Sequence, residues 1–197
     1  MFRRFIAALA IVFAGTMQAH ATSVLPLYLD ELVDTAAVAF QGTVLDNRVE
    51  RDATTGFVVT HTRFAVAEAL KGDVGPIHTI KQIGGELPGD TAPSFRIQGV
   101  PKFAVGGEYV VFLAGVSGAG FSSPIGLSQG KFNIDRAGGT AKVANGRDFR
   151  DMTANIPASQ ATSGLAMRLQ RSAARANDAG LDEFKQLVRE RAARVTK

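Results

Sequence analysis

GFVVTHTRFAVAEALKG, residues 56–72, is the stretch on which the fold turns. Val58, Thr60, Thr62, Phe64 and Val66 alternate with Val59, His61 and Arg63, so successive side chains point to opposite faces of a strand. The run closes at Lys71-Gly72-Asp73, a turn signal.

Similar runs flank it. VAFQGTVLDNRVE (38–50) reads as a strand broken at Gly42, and IHTIKQIGG (77–85) as another. EYVVFLAG (108–115) is apolar enough to be buried on both faces, and FSSPIGLSQGKFNI (121–134) supplies two more short strands around Gly126 and Gly130. Before them, LDELVDTA (29–36) puts Leu29, Leu32 and Val33 on one helical face, with Asp30 and Glu31 in the first turn. Five to six short strands, rich in Val and Phe and punctuated by Gly, predict a mainly β fold over residues 22–135. A small Greek-key OB-type barrel with a short N-terminal helix fits best, because a lipocalin-like barrel needs more strands. The Gly-rich stretch 83–108 is too long for a hairpin and reads as a functional or wrapping loop. Within it, GVPKFAVGGEYVVFL (99–113) reads as fold punctuation: Gly99 and Pro101 turn the chain, Phe103 and Val105 re-enter the core, and Gly106-Gly107 leads into the strand.

Residues 136–164, rich in Gly, Asn, Ser and Thr, read as a linker. Residues 165–197 read as a helical tail, in which Leu181, Phe184, Leu187, Val188 and Ala192 form one apolar face.

The first 21 residues have the parts of an export signal: Arg3 and Arg4, an apolar run over 5–13, and Ala19-His20-Ala21 as a small-x-small cleavage site. The run is shorter than the ~20 residues of a membrane span, and no cysteine follows it to carry a lipid. The expected product begins at Thr22, has 176 of the 197 residues, and is exported to the periplasm or medium without stable membrane insertion. With no cysteine in the chain, neither disulfides nor thiolate metal sites are open to it.

The net charge of +4 divides unevenly. The signal carries +2 and residues 165–197 carry eight Lys/Arg against four Asp/Glu, leaving −2 for residues 22–164. The tail's charges recur among Ala and Leu on a helical pattern, so they read as a solvated helix face and no nucleic-acid partner is expected.

No catalytic set stands out, so the chain is not expected to be an enzyme. His61 and His78 lie in different strands, and Glu86 and Asp90 form a loop carboxylate pair with no base or nucleophile beside them. GELPGD (85–90) lacks the Lys-Ser/Thr ending of a phosphate loop, and Ser122, Ser123 and Ser128 lack an elbow motif. No cofactor is expected.

TSVLPLYLDELVDTAAVAFQGTV (22–44) places Ser23 second and Pro26 fifth, then a helix leading through AAVA (36–39) into the first strand. FAVAEALKGD (64–73) and GGEYVVFLAG (106–115) follow in order. Over residues 22–134 this arrangement resembles the inhibitory domain of the tissue inhibitors of metalloproteinases, a netrin-like OB-type barrel. The motifs G-x-P-x-F-x-x-G-x-E-Y-V-V-F-L (from Gly99) and G-L-x-Q-G-K-F (from Gly126) also resemble a set of bacterial exported proteins.

The resemblance implies that the α-amine and carbonyl of Thr22 chelate the catalytic metal of a secreted zinc metalloprotease, and that the Ser23 side chain enters its substrate pocket. Val24, Leu25 and Pro26 complete the binding segment. Catalytic zinc keeps an open position for such ligands, and an α-amine of pKa about 7.7–8.0 loses its proton readily to a metal. The family has disulfide-bonded cysteines where this chain has Thr22 and Val24, so Pro26 and the helix after it must aim the terminus. The alternative is an envelope or secreted adaptor with no inhibitory activity, using the 86–105 loop or the basic tail.

Overall fold

A computed structural model describes residues 25–87, 89, 97–156, 163–173 and 178–195. The expected export signal, Thr22, Ser23, Val24 and Asp90 lie outside the described residues.

Helix α1 (Leu29–Thr35) is followed by strands β1 (Val38–Arg51), β2 (Val58–Lys71), β3 (Ile77–Ile83) and β4 (Glu108–Leu113). A 3-10 turn (Leu127–Gly130) leads into β5 (Lys131–Asp135) and β6 (Lys142–Ala144). Helices α2 (Phe149–Met152) and α3 (Ser163–Ala173), the two-residue strand β7 (Ala179–Gly180) and helix α4 (Leu181–Val195) complete the order.

The protein is mainly β, and its seven strands form one antiparallel sheet in the order β3-β2-β1-β4-β5-β6-β7. Five of them, β1 to β5, lie within residues 22–135, where five to six were expected; β6 and β7 lie beyond that range and are too short to show a period in sequence. The sheet is open: among the described residues no strand pairing joins β3 back to β5. The segment after β4 curls towards that free edge instead. Ser122 N–H donates to Lys81 O of β3 at 3.0 Å, and Lys81 Nζ donates to Ala119 O at 2.9 Å while lying 4.7 Å from the Phe121 ring.

Alternation sorts the central strands into two cores. Val110 and Phe112 of β4 face a cluster with Ala39, Phe132 and the helices, while Tyr109, Val111 and Leu113 face a second with Phe40, Val44, Phe64, Ile80 and Phe103. Burial on both faces is why β4 reads as a continuous apolar run. The expected break at Gly42 is instead a register irregularity within a continuous β1, where Ala65 O would lie 2.9 Å from any Cβ at that position.

Residues 136–164, read as a linker, contain β6 and α2, and Phe149 and Met152 are wholly buried. The first of the two short strands expected in 121–134 is replaced by an isolated bridge at Pro124 and the 3-10 turn. Gly126 and Leu127 both sit at φ +60°, where no strand continues.

The tail docks. Leu181, Phe184, Leu187, Val188 and Ala192 are all buried against the first core, and three of its cations are engaged within the chain. Lys185 pairs with Glu68 at 2.8 Å and bonds Gln41 at 3.0 Å, Arg189 also pairs with Glu68, and Arg191 Nε bonds Asp34 of α1 at 2.7 Å. Burial pushes the Glu68 carboxyl up, but the hydrogen bond and charge of Lys185, with Arg189, pull it below its ordinary value.

At the β1–β2 turn, the Asp52 carboxylate accepts from Lys81 Nζ at 2.6 Å and from the Thr55 hydroxyl at 2.7 Å. These bonds hold its pKa down to about 2 from an ordinary 3.8, against the opposing effect of burial. The stability that this carboxylate lends is present above the ordinary value and lost as pH falls from about 4 towards 2. Asp52→Asn should therefore flatten the acid limb of the stability profile over that window, read as urea midpoints at stepped pH. An unchanged slope would show that the pair contributes nothing.

Candidate functional site

The expected binding segment can be followed from its C-terminal end. Leu25 and Pro26 are exposed, Leu25 at 81 %. They enter α1, whose start is held by Glu31 accepting from Tyr28 N–H at 2.8 Å. Its end is held by Lys71, whose Nζ donates to Val33 O at 2.7 Å and Asp34 O at 3.0 Å. Lys71 belongs to the Lys-Gly turn of β2, so that turn fixes the end of the helix that follows Leu25 and Pro26.

A second anchor comes from a distant part of the chain. Gln129 Oε1 accepts from Leu27 N–H at 2.8 Å, and Gln129 Nε2 donates to Leu25 O at 3.0 Å. One side-chain amide thus pairs with an extended backbone as a neighbouring strand would. Arg147 reinforces it by donating to Leu27 O at 2.5 Å and to Gln129 Oε1 at 2.7 Å. Asn145 Nδ2 holds Gln129 O at 3.0 Å, and Asn145 Oδ1 accepts from Arg147 N–H at 3.1 Å.

The G-L-x-Q-G-K-F motif supplies this anchor residue by residue. Gly126 takes the left-handed conformation that turns the chain, and a Cβ there would meet Leu27 at 2.9 Å. Gly130 lies against Ile125 and the Phe112 carbonyl, where a Cβ would sit 2.8–2.9 Å from backbone atoms. Lys131 Nζ donates to Lys102 O at 2.6 Å and lies over the Phe103 and Tyr109 rings, and Phe132 enters the core. Burial pushes the Lys131 ammonium below its ordinary value. The motif starting at Gly99 provides those partners: Phe103 packs edge-on to Phe64 and Tyr109, and the Tyr109 hydroxyl accepts from Ala104 N–H at 3.0 Å. The two motifs therefore meet at Lys131, and the second also holds the N-terminal segment through Gln129.

The remaining candidates are dispersed. His61 Nε2 stands 3.2 Å from Glu50 Oε1 on the strand face, and His78 packs on the Phe40 ring at 5.1 Å, where burial lowers its pKa. Among the described residues no three of His, Asp and Glu converge as metal ligands, and no helix is long and apolar enough to cross a membrane. Gln129 and Arg147 were not candidates in the sequence. The signal for Gln129 was faint, a polar residue between Gly126 and Gly130, and Arg147 had none.

No protein-family model matches the chain, and comparison with curated proteins and with solved structures finds no match.

Proposed function

We propose that the chain is an exported, non-catalytic binding protein of netrin-like, OB-type descent that inhibits a secreted zinc metalloprotease through residues 22–26. The supporting observation is the Gln129–Arg147 anchor on Leu25 and Leu27. An inhibitory terminus must be aimed before it binds, since ordering it on contact subtracts from affinity. In the disulfide-bonded inhibitors the cross-links do this. Here hydrogen bonds to the backbone on both sides of Pro26 would do it, leaving Thr22 free to offer its α-amine and carbonyl to the metal and Ser23 to enter the pocket.

The strand order is compatible with this descent: β1-β2-β3 meander, β4 returns beside β1, and β5 lies beside β4. The Ser122–Lys81 bond brings the segment ahead of β5 to the free edge of β3, while the second edge of β5 is taken by β6. The tail's Lys185, Arg189 and Arg191 are engaged within the chain with Glu68 and Asp34.

The test is inhibition of a panel of secreted zinc endopeptidases by exported protein whose intact mass shows a start at Thr22. Inhibition is expected for at least one, with Ser23→Arg weakening it by more than about tenfold, or ~1.4 kcal/mol. A panel that is uniformly uninhibited, or Ser23→Arg acting as well as the parent, would contradict the proposal.

A further inference from the structure

The second core does not end in a closed apolar wall. Beyond Phe64 and Ile80, its face continues through two polar cross-strand rows, Asn47–Thr62–Ile80 and Val49–Thr60–Gln82. Residues 97–103 roof these rows, leaving a cleft of about 330 Å³. That lies within the size range of small-ligand sites, roughly 300–1,000 Å³. Val49, Ile97, Val100 and Phe103 supply apolar lining, and Gln82 lines the interior.

The hydrogen-bonding inventory of the cleft is nearly closed. The Thr62 hydroxyl donates to Asn47 Oδ1 at 2.6 Å, Asn47 Nδ2 to Phe103 O at 2.8 Å, and the Thr60 hydroxyl to Gly84 O at 2.7 Å. Gln82 is the exception. It is 3 % exposed, and its Nε2 is buried with no partner among the described residues. A buried amide nitrogen left unpaired is destabilising, a penalty that Leu or Ile at the same place would not incur.

We propose that the cleft binds an amide-bearing ligand whose carbonyl accepts from Gln82 Nε2, with its apolar body against Val49, Val100 and Phe103. The Gln82 side chain is itself an amide, so a ligand amide can both accept from it and donate back to it. A carboxylate fits less well, because the group facing it at Gln82 is a neutral amide, and the two charged lining residues, Glu86 and Lys102, are exposed. An alcohol fits less well because it makes fewer bonds. This site is independent of the N-terminal segment and of any protease.

The experiment is a titration of full-length mature protein followed by NMR at the Gln82 side-chain NH₂ and the Val100 and Phe103 backbone amides. The probes are hexanamide, acetyl-leucine-methylamide, hexanoate and hexanol. Saturable shifts with either amide, at concentrations about tenfold below those for hexanoate and hexanol, are expected. The amide that saturates first tells a free acyl amide from a peptide source. Gln82→Leu should abolish that preference, and Val100→Trp, which fills the cleft, should abolish binding altogether. Absence of saturable shifts, equal response to hexanol, or an unchanged preference in Gln82→Leu would overturn the proposal.

Discussion

Phe184→Ala should lower the stability of the protein by about 3–5 kcal/mol, measured as a shift of the urea unfolding midpoint at constant slope. Phe184 is wholly buried at the centre of an aromatic cluster, with ring centroids 4.7 Å from Phe132, 5.9 Å from Phe149 and 6.3 Å from Phe112. Its partners come from β4, β5 and α2, so no single element can relax into the space that it leaves. Edge-on pairs add roughly 0.5–1.5 kcal/mol each beyond burial. The loss is a large fraction of the ~5–15 kcal/mol that a domain has in total. Phe57→Ala is the control: that ring is 52 % exposed, and its removal should stay within about 0.5 kcal/mol. A loss below about 1 kcal/mol for Phe184→Ala would mean that α4 does not pack on the sheet.

Gln129→Leu combined with Arg147→Met should release the segment ahead of α1 while leaving the fold in place. Together the two side chains make three hydrogen bonds to the backbone of Leu25 and Leu27. At about 0.5–1.5 kcal/mol each, the loss corresponds to roughly tenfold to two-thousandfold weaker inhibition. The global unfolding midpoint should move far less than in Phe184→Ala, because Gln129 and Arg147 are only partly buried and are absent from both apolar cores. Exchange of the Leu27 amide should rise towards that of an unprotected amide. A protected Leu27 in the double variant would show that the segment is held by something else.

What the sequence displayed and what it hid follow from the range of each interaction. The alternation in β2, the apolar run of β4 and the single face of Leu181, Phe184, Leu187, Val188 and Ala192 are local patterns, and each forms the element it suggests. Strands of three and two residues, β6 and β7, cannot display a period, so the chain around Phe149 read as a linker. The turn at Gly126 and Leu127 replaces an expected strand because two successive left-handed residues leave the sheet. The site was hidden for a different reason. Gln129 lies 102 positions from Leu27, and Arg147 lies 120 from it, so no local pattern joins them. Gln82 was hidden likewise: in sequence it is one polar residue in an alternating strand, and its unpaired nitrogen exists only once residues 97–103 cover it.

The central claim is that a free amine at Thr22, aimed by the Gln129–Arg147 anchor, is the inhibitory group. Its most direct measurement is the inhibition constant against a responsive secreted zinc endopeptidase, for protein beginning at Thr22 and for protein with a single alanine added before it. The extra residue turns the chelating amine into an amide, a poor metal ligand, and changes nothing in the folded domain. The account predicts at least about a hundredfold loss, or ~2.7 kcal/mol. Equal inhibition by the two proteins would contradict it.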